Sequence, residues 1–358
     1  VKSVVASNAL RIFLGREAAR RIELEGWSPD LFGLLLGASG GPKWLILSAL
    51  DRVLFGDFLQ RGERPLSVLG SSIGSWRHAC LTTGDPTGTL ARLEAEYLAQ
   101  TYSSKPGPAE VSAISLGMLE RALGNQGVID MLQHPRIGTH IVTARGRGLA
   151  ATATNPALAT GLGMAALGNA VSRRLLTMQF QRVVFHSGAS PDPGLALDDF
   201  QTAYCRLRED TVKTALHASG AIPLVLMGER DIPGAPAGHY WDGGIIDYHF
   251  DLSQYRGDGL ILYPHFSASI VIGWFDKFLP WRRSPVHDAD KLVLLCPDPG
   301  FVASLPYGKI PDRSDFNRLA PEERVRYWKK CIASSTAMAE EFADLVAGGD
   351  PLRGATVF

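Results

Sequence analysis

A chain of 358 residues is long enough to bury a large core as one large or two modest domains, and its hydrophobic content of 46% is that of a globular protein. Its 36 basic and 36 acidic side chains cancel, so no global field favours nucleic acid or an anionic membrane. The four cysteines, Cys80, Cys205, Cys296 and Cys331, are too sparse for a disulfide scaffold and too far apart for a Cys-x-x-Cys metal site, and read as reduced core residues.

At the start of the chain Arg11, Arg16 and Glu17 interrupt the apolar residues, so no secretory leader is expected there. An unbroken apolar run at 31–37 predicts a strand buried on both faces. The small-residue loop Gly37-Ala38-Ser39-Gly40-Gly41-Pro42-Lys43-Trp44 follows, then a helical pattern over 44–55. A second buried strand at 66–70 ends in Gly70-Ser71-Ser72-Ile73-Gly74, and helices are predicted over 75–81 and 90–102.

Residues 140–143 and 183–185 continue the series of strands. Between them, 148–172 carries no charged side chain and is long enough to cross a bilayer. Thr152, Thr154, Asn155, Pro156 and Asn169, with many Ala and Gly, make it too polar for a spanning helix, so a buried or lid helix is predicted in a Gly/Ala-rich insertion near 148–178. A helix over 211–218 leads towards Asp242-Gly243-Gly244, strands follow at 260–262 and 292–296, and 321–346 reads as one long helix. No internal repeat is present. The alternation predicts an α/β fold with a mostly parallel sheet flanked by helices, in a single domain over 1–358 whose part 251–358 is the least defined. In such sheets sites form at the carboxyl ends of strands, where both glycine-rich turns would lie.

Gly-x-Ser-x-Gly between a strand and a helix forces a sharp turn that lifts the serine oxygen clear of the backbone, which makes Ser72 the candidate nucleophile. The motif is weak alone, and Gly37-Ala38-Ser39-Gly40-Gly41 is a second copy in which Ser39 could instead cap the helix that Pro42 opens. The order of motifs favours Ser72, because the Gly40 and Gly41 amides are then free to hold an oxyanion. Asp242 offers a carboxylate on a glycine turn and is the candidate base. Arg77 and His78 follow the elbow, where a helix-surface or core role is the expectation, and Asp247 and His249 follow the aspartate, where no direct chemistry is expected. The nine histidines form no His-x-x-x-His pair, and Trp44 stands where a phosphate-binding loop needs Ser or Thr, so neither a metal nor a nucleotide is implied.

A glycine-rich loop with a basic residue, a Gly-x-Ser-x-Gly and a distant Asp-Gly-Gly, in that order over about 31–250, resemble the patatin-like phospholipases. The family's first motif is Asp-Gly-Gly-Gly-x-Arg/Lys-Gly. Gly40, Gly41 and Lys43 match it, with Ser39 in place of the first glycine of the triplet and Trp44 in place of the last glycine. Ala218-Ser219-Gly220-Ala221-Ile222-Pro223 resembles the segment before the family's Asp-Gly-Gly, whereas Asp247-Tyr248-His249-Phe250 replaces its usual Asn-x-Pro. The resemblance implies a three-layer sandwich and hydrolysis of lipid or lysophospholipid acyl esters by a Ser72–Asp242 dyad. It further implies an oxyanion hole at Gly40 and Gly41, Lys43 near the substrate, no cofactor, and a cytoplasmic chain or one peripheral at a membrane. Two alternatives stay open: a Ser-His-Asp hydrolase using His265 or His287, and a catalytically silent lipid-binding protein of the same fold. Residues 270–281, rich in Trp and Phe and followed by Arg282 and Arg283, suit either a lipid interface or a packed helix, and packing is the stronger expectation.

Overall fold

Strands buried on both faces must be apolar at every position, and each of the six apolar runs does form a strand. The computed structural model describes residues 8–152, 155–188, 190–199, 201–284 and 289–358; Thr154 and His287 lie outside the described residues. The first strands are β1 (Leu10–Leu14), β2 (Phe32–Gly37), β3 (Leu66–Ser71) and β4 (Ile137–Gly146). Next come β5 (Phe180–His186), β6 (Thr202–Arg206), β7 (Glu229–Arg230), β8 (His239–Asp242) and β9 (Leu260–Pro264). The last are β10 (Ile270–Val271), β11 (Arg283–Ser284), β12 (Leu292–Pro297) and β13 (Ala355–Val357).

These build an 11-stranded sheet in the order β13-β1-β12-β9-β2-β3-β4-β5-β6, with β8 paired to β4 and β7 to β8; β10 and β11 pair apart from it. The centre, β12-β9-β2-β3-β4, is parallel throughout. Antiparallel neighbours flank it, β1 on β12 and β5 on β4. The fold is therefore α/β with a mostly parallel, mixed sheet.

The helices of the first half are α1 (Arg16–Glu25), α2 (Ser48–Val53), α3 (Ile73–Leu81), α4 (Pro86–Leu98) and α5 (Pro108–Gln133). Those of the second are α6 (Asn155–Val171), α7 (Val212–Gly220), α8 (Pro299–Ser304), α9 (Asp315–Arg318), α10 (Pro321–Ser334) and α11 (Thr336–Ala347). Gly37 pairs with Gly70, so the loop after β2 and the turn after β3 leave the sheet side by side. In the insertion, α6 buries Leu158, Gly161, Ala165 and Asn169 along one face and exposes Met164, Leu167 and Val171 on another. No helix among the described residues is long and apolar enough to cross a membrane.

Three local expectations are corrected, and one helix was not anticipated. The segment 321–346 is two helices broken at Ser335, where three successive hydroxyl residues, Ser334-Ser335-Thr336, compete for backbone groups and Ser335 Oγ donates to the Ile332 carbonyl. The helix expected over 90–102 starts earlier, at Pro86 after the Asp85 cap, and stops at Leu98. The helix expected from Trp44 begins as a 3-10 turn, Gly41–Leu47. The long α5, with a non-helical break at Gly124, had no clear periodic signal in the sequence.

Candidate active site

The register of β4 explains how two motifs 170 residues apart meet. β3 ends at Ser71 opposite Val142, and the edge of β4 it leaves free is taken up by β8, which runs the other way and ends with Asp242 opposite Thr143. Two strands thus stop head to head on adjacent residues of a third. Across that gap Ser72 Oγ donates to Asp242 Oδ2 at 2.9 Å. Both side chains are buried, at 5% and 7% exposure.

Ser72 sits at φ 55° and ψ −130°, a left-handed conformation for a non-glycine residue that costs about 1–3 kcal/mol and persists only where its surroundings hold it. They do so through the glycines and a hydrogen-bond chain. A Cβ at Gly70 would lie 2.6 Å from the Ser75 backbone, and one at Gly74 would lie 2.0 Å from the Gly37 carbonyl oxygen. The Ser72 N–H donates to Ser219 Oγ at 2.9 Å, and Ser219 donates to the Val142 carbonyl at 2.6 Å, tying the elbow to α7 and β4. Ser219 is the role found for the small-residue segment before Asp242.

Burial holds the Asp242 carboxyl above the usual aspartate range, while the Gly244 N–H, Arg313, Ser72 and Lys277 pull it back down. Gly244 N–H donates to Oδ1 at 2.7 Å, which fixes the carboxylate with its other oxygen on Ser72. The amides of Gly40, Gly41 and Ile73 have no hydrogen-bond partner among the described residues. Gly40 lines a cavity of about 290 Å³ with Ser72, Asp242 and Lys43, and Gly41 and Ile73 line a second of about 370 Å³ on which Ser72 also opens. The second cavity is walled by Trp76, Tyr97, Tyr102, Met118, Leu226 and Phe316.

Ser39 does not cap the following turn: Gly40 stands at the cap, and Ser39 Oγ shares a hydrogen bond with Ser71 Oγ at 2.9 Å. Lys43 is half-buried, its Nζ 4.9 Å from the Phe266 ring centroid. Arg77 forms a buried ion pair with Asp51 instead of lining the site. Asp247 pairs with Arg182 at 2.6 Å and Arg173 at 3.1 Å, a structural role that fixes the chain after Asp242. His249 accepts from the Val271 N–H and packs edge-on against His265.

His265 is fully buried with Nδ1 engaged by Ser267, and lines neither cavity. A folded His265→Gln variant should therefore keep ester turnover within about tenfold of wild type, where loss of a general base costs about a thousandfold or more. A thousandfold fall in kcat/KM would return histidine to the chemistry. Among the described residues no group of three or more His, Cys, Asp or Glu is placed to hold a metal ion.

No family model and no curated protein sequence matches the chain. Among solved structures, VipD from Legionella pneumophila is similar at a TM-score of 0.35 and 14% identity, over 98% of this chain and 75% of that one. The heterodimeric ExoU-SpcU complex of the type III secretion system of Pseudomonas aeruginosa is similar at a TM-score of 0.30 and 15% identity, over 88% of this chain and 52% of that one.

Proposed function

We propose that this chain is a serine acyl hydrolase of the patatin-like type, cleaving lipid or lysophospholipid acyl esters through a Ser72–Asp242 dyad. The observation that carries the reading is the 2.9 Å hydrogen bond from a serine held at positive φ, between strand and helix, to a buried carboxylate. Asp242 takes the Ser72 proton as Oγ attacks the ester carbonyl, and the amides of Gly40 and Gly41 receive the oxyanion, each worth a few kcal/mol in the transition state. Collapse expels the alcohol, which leaves with the proton from Asp242. Water, deprotonated by the same carboxylate, then attacks the acyl-serine and frees the acid. The apolar cavity beside Ser72 suits an acyl chain.

A second serine has a specific observation of its own. Ser115 Oγ lies 2.8 Å from His217 Nε2, and His217 Nδ1 lies 2.5 Å from Glu229 Oε1, an order of contacts like that of a triad. Ser115, however, stands inside α5, where neighbouring N–H groups are consumed by helix bonds and none is left for an oxyanion. Fluorophosphonate labelling separates the two: label lost in Ser72→Ala supports the dyad, and label retained there but mapped to Ser115 supports the triad.

Exposed apolar side chains on the segment that carries Trp274 and Lys277, both of which line the polar cavity, and on α6 support contact with lipid. Phe278 and Trp281 are 76% and 71% exposed, against the packed arrangement expected for them, while Phe275 is buried and Trp274 half-buried. Leu167 and Val171 of α6 are 74% and 78% exposed, and Arg282 joins the two elements by donating to the Asn169 and Val171 carbonyls at 3.1 and 3.3 Å. Replacing Leu167, Phe278 and Trp281 together by Ser should weaken vesicle partitioning by about tenfold or more, since each apolar side chain withdrawn from water is worth about 1.5–3 kcal/mol. Sedimentation with phosphatidylcholine vesicles checks this; unchanged partitioning of a folded variant removes the interfacial role.

A further inference from the structure

Three cations converge on the polar cavity beside the proposed dyad, none of them paired with a carboxylate at contact distance. Lys43 belongs to the turn after the glycine loop, Lys277 to a 3-10 turn, Trp274–Phe278, and Arg313 to the segment before α9, and all three line the cavity of about 290 Å³ that holds Ser72 and Asp242. Among the described residues none of the three has a carboxylate within ion-pair distance. Asp312 lines the same space, but its carboxylate is already taken by Lys309 at 2.7 Å and by the Ser314 N–H at 2.7 Å. Asp242 is engaged by Ser72 and Gly244.

Holding half-buried ammonium groups together is costly, because desolvation and mutual repulsion both oppose the charged forms, and Asp242 and Asp312 offset this only in part. The cost shows in their protonation: burial, then Lys43 and Arg313, push Lys277 down to about 7, and burial also lowers Lys43. Lys277 Nζ rests 3.5 Å from the Tyr248 ring centroid, which holds the ammonium in place without neutralising it. An anion entering the cavity would meet cations that have no contact partner, and would add to the longer-range attraction of Asp242 for Lys277 and of Asp312 for Lys43. Arg313 also borders the apolar cavity, and Ser72 and Ile222 line both, so one molecule can present an acyl chain to one side of Ser72 and a negative group to the other.

We propose that Lys277 and Arg313, with Lys43, form the site that reads the phosphate of an acyl ester's head group, which makes an acylated glycerol phosphate a better substrate than an uncharged acylglycerol. This rests on the hydrolase reading for turnover but not for binding, and the test is built on that difference. In Ser72→Ala protein, calorimetry compares octyl phosphate, octanol and inorganic phosphate. Octyl phosphate should bind about tenfold or more tightly than either of the others, and Lys277→Gln and Arg313→Gln should each remove most of that advantage while still melting cooperatively. In protein with Ser72 intact, the ratio of kcat/KM for an acylglycerol phosphate to that for the acylglycerol of the same chain should fall in parallel, mainly through KM, and Lys277→Arg should restore it.

Octanol binding as tightly as octyl phosphate, or an unchanged ratio in folded Gln variants, overturns the proposal. Inorganic phosphate binding as tightly as octyl phosphate overturns it in favour of a free-anion site. Absence of turnover by wild type, with the binding advantage intact and lost in the variants, rejects the hydrolase and keeps the anion site.

Discussion

Replacing Ser72 by Ala is expected to lower turnover of a short-chain ester by about ten-thousandfold or more and to abolish fluorophosphonate labelling, with little change in stability. Asp242→Asn should do comparable damage to turnover, because an amide can neither take the Ser72 proton nor activate water. The double variant should be no worse than either single one, since the two residues act as a unit. Stability gives a separate signature at Asp242. Its carboxyl titrates higher in the folded chain than in the unfolded one, so the folded state holds the extra proton between the two values, and stability falls as pH rises through that window. Asn removes this cost, so Asp242→Asn should melt no lower than wild type at neutral pH. For the same reason the acid limb of the rate should lie above the ordinary aspartate range, near 4. Labelling that survives in Ser72→Ala, or a double variant that loses far more than either single one, would sink the dyad.

The strands were legible because burial on both sheet faces leaves unbroken apolar runs, and the runs at 31–37, 66–70, 260–262 and 292–296 correspond to β2, β3, β9 and β12. The turns after β2 and β3 were legible for a similar reason, since close approach of Gly70 and Gly74 to neighbouring backbone leaves no room for a side chain. The junction that brings Ser72 and Asp242 together was not. β8 is four residues long and pairs with β4 only beyond the end of β3, a relation set by register that no local pattern records. Long-range pairing hid other features too: Ser115, His217 and Glu229 come from three separate elements, and Lys277 and Arg313 lie in segments without a motif. Trp281 and Phe278 read as an ordinary apolar stripe, and only their exposure sets them apart from Phe275.

Asp51→Ala is expected to cost about 3–5 kcal/mol, a large part of the total stability of a typical domain. Arg77 lies in α3, one turn after the elbow, and its Nε and Nη2 donate to the two Asp51 oxygens at 2.6 and 2.5 Å. The side chains are 2% and 0% exposed. A bidentate pair in such surroundings satisfies both groups, whereas removing one leaves the other buried without its hydrogen-bond partner. Arg77→Ala should therefore cost about as much, by leaving the Asp51 carboxylate in the same position. The combination of Asp51→Leu with Arg77→Met fills similar volume and buries no charge, so it should lose far less than the sum of the two single truncations and could match wild type. Urea midpoints at pH 7 read all four proteins. The pair also braces α2 against the helix that carries the elbow, so the single variants should lower ester turnover as well as stability, and the paired apolar variant should recover both. Single variants within about 1 kcal/mol of wild type would mean that water reaches the pair, and recovery of stability without turnover would mean that the charge pair itself, and not the volume it fills, sets the position of Ser72.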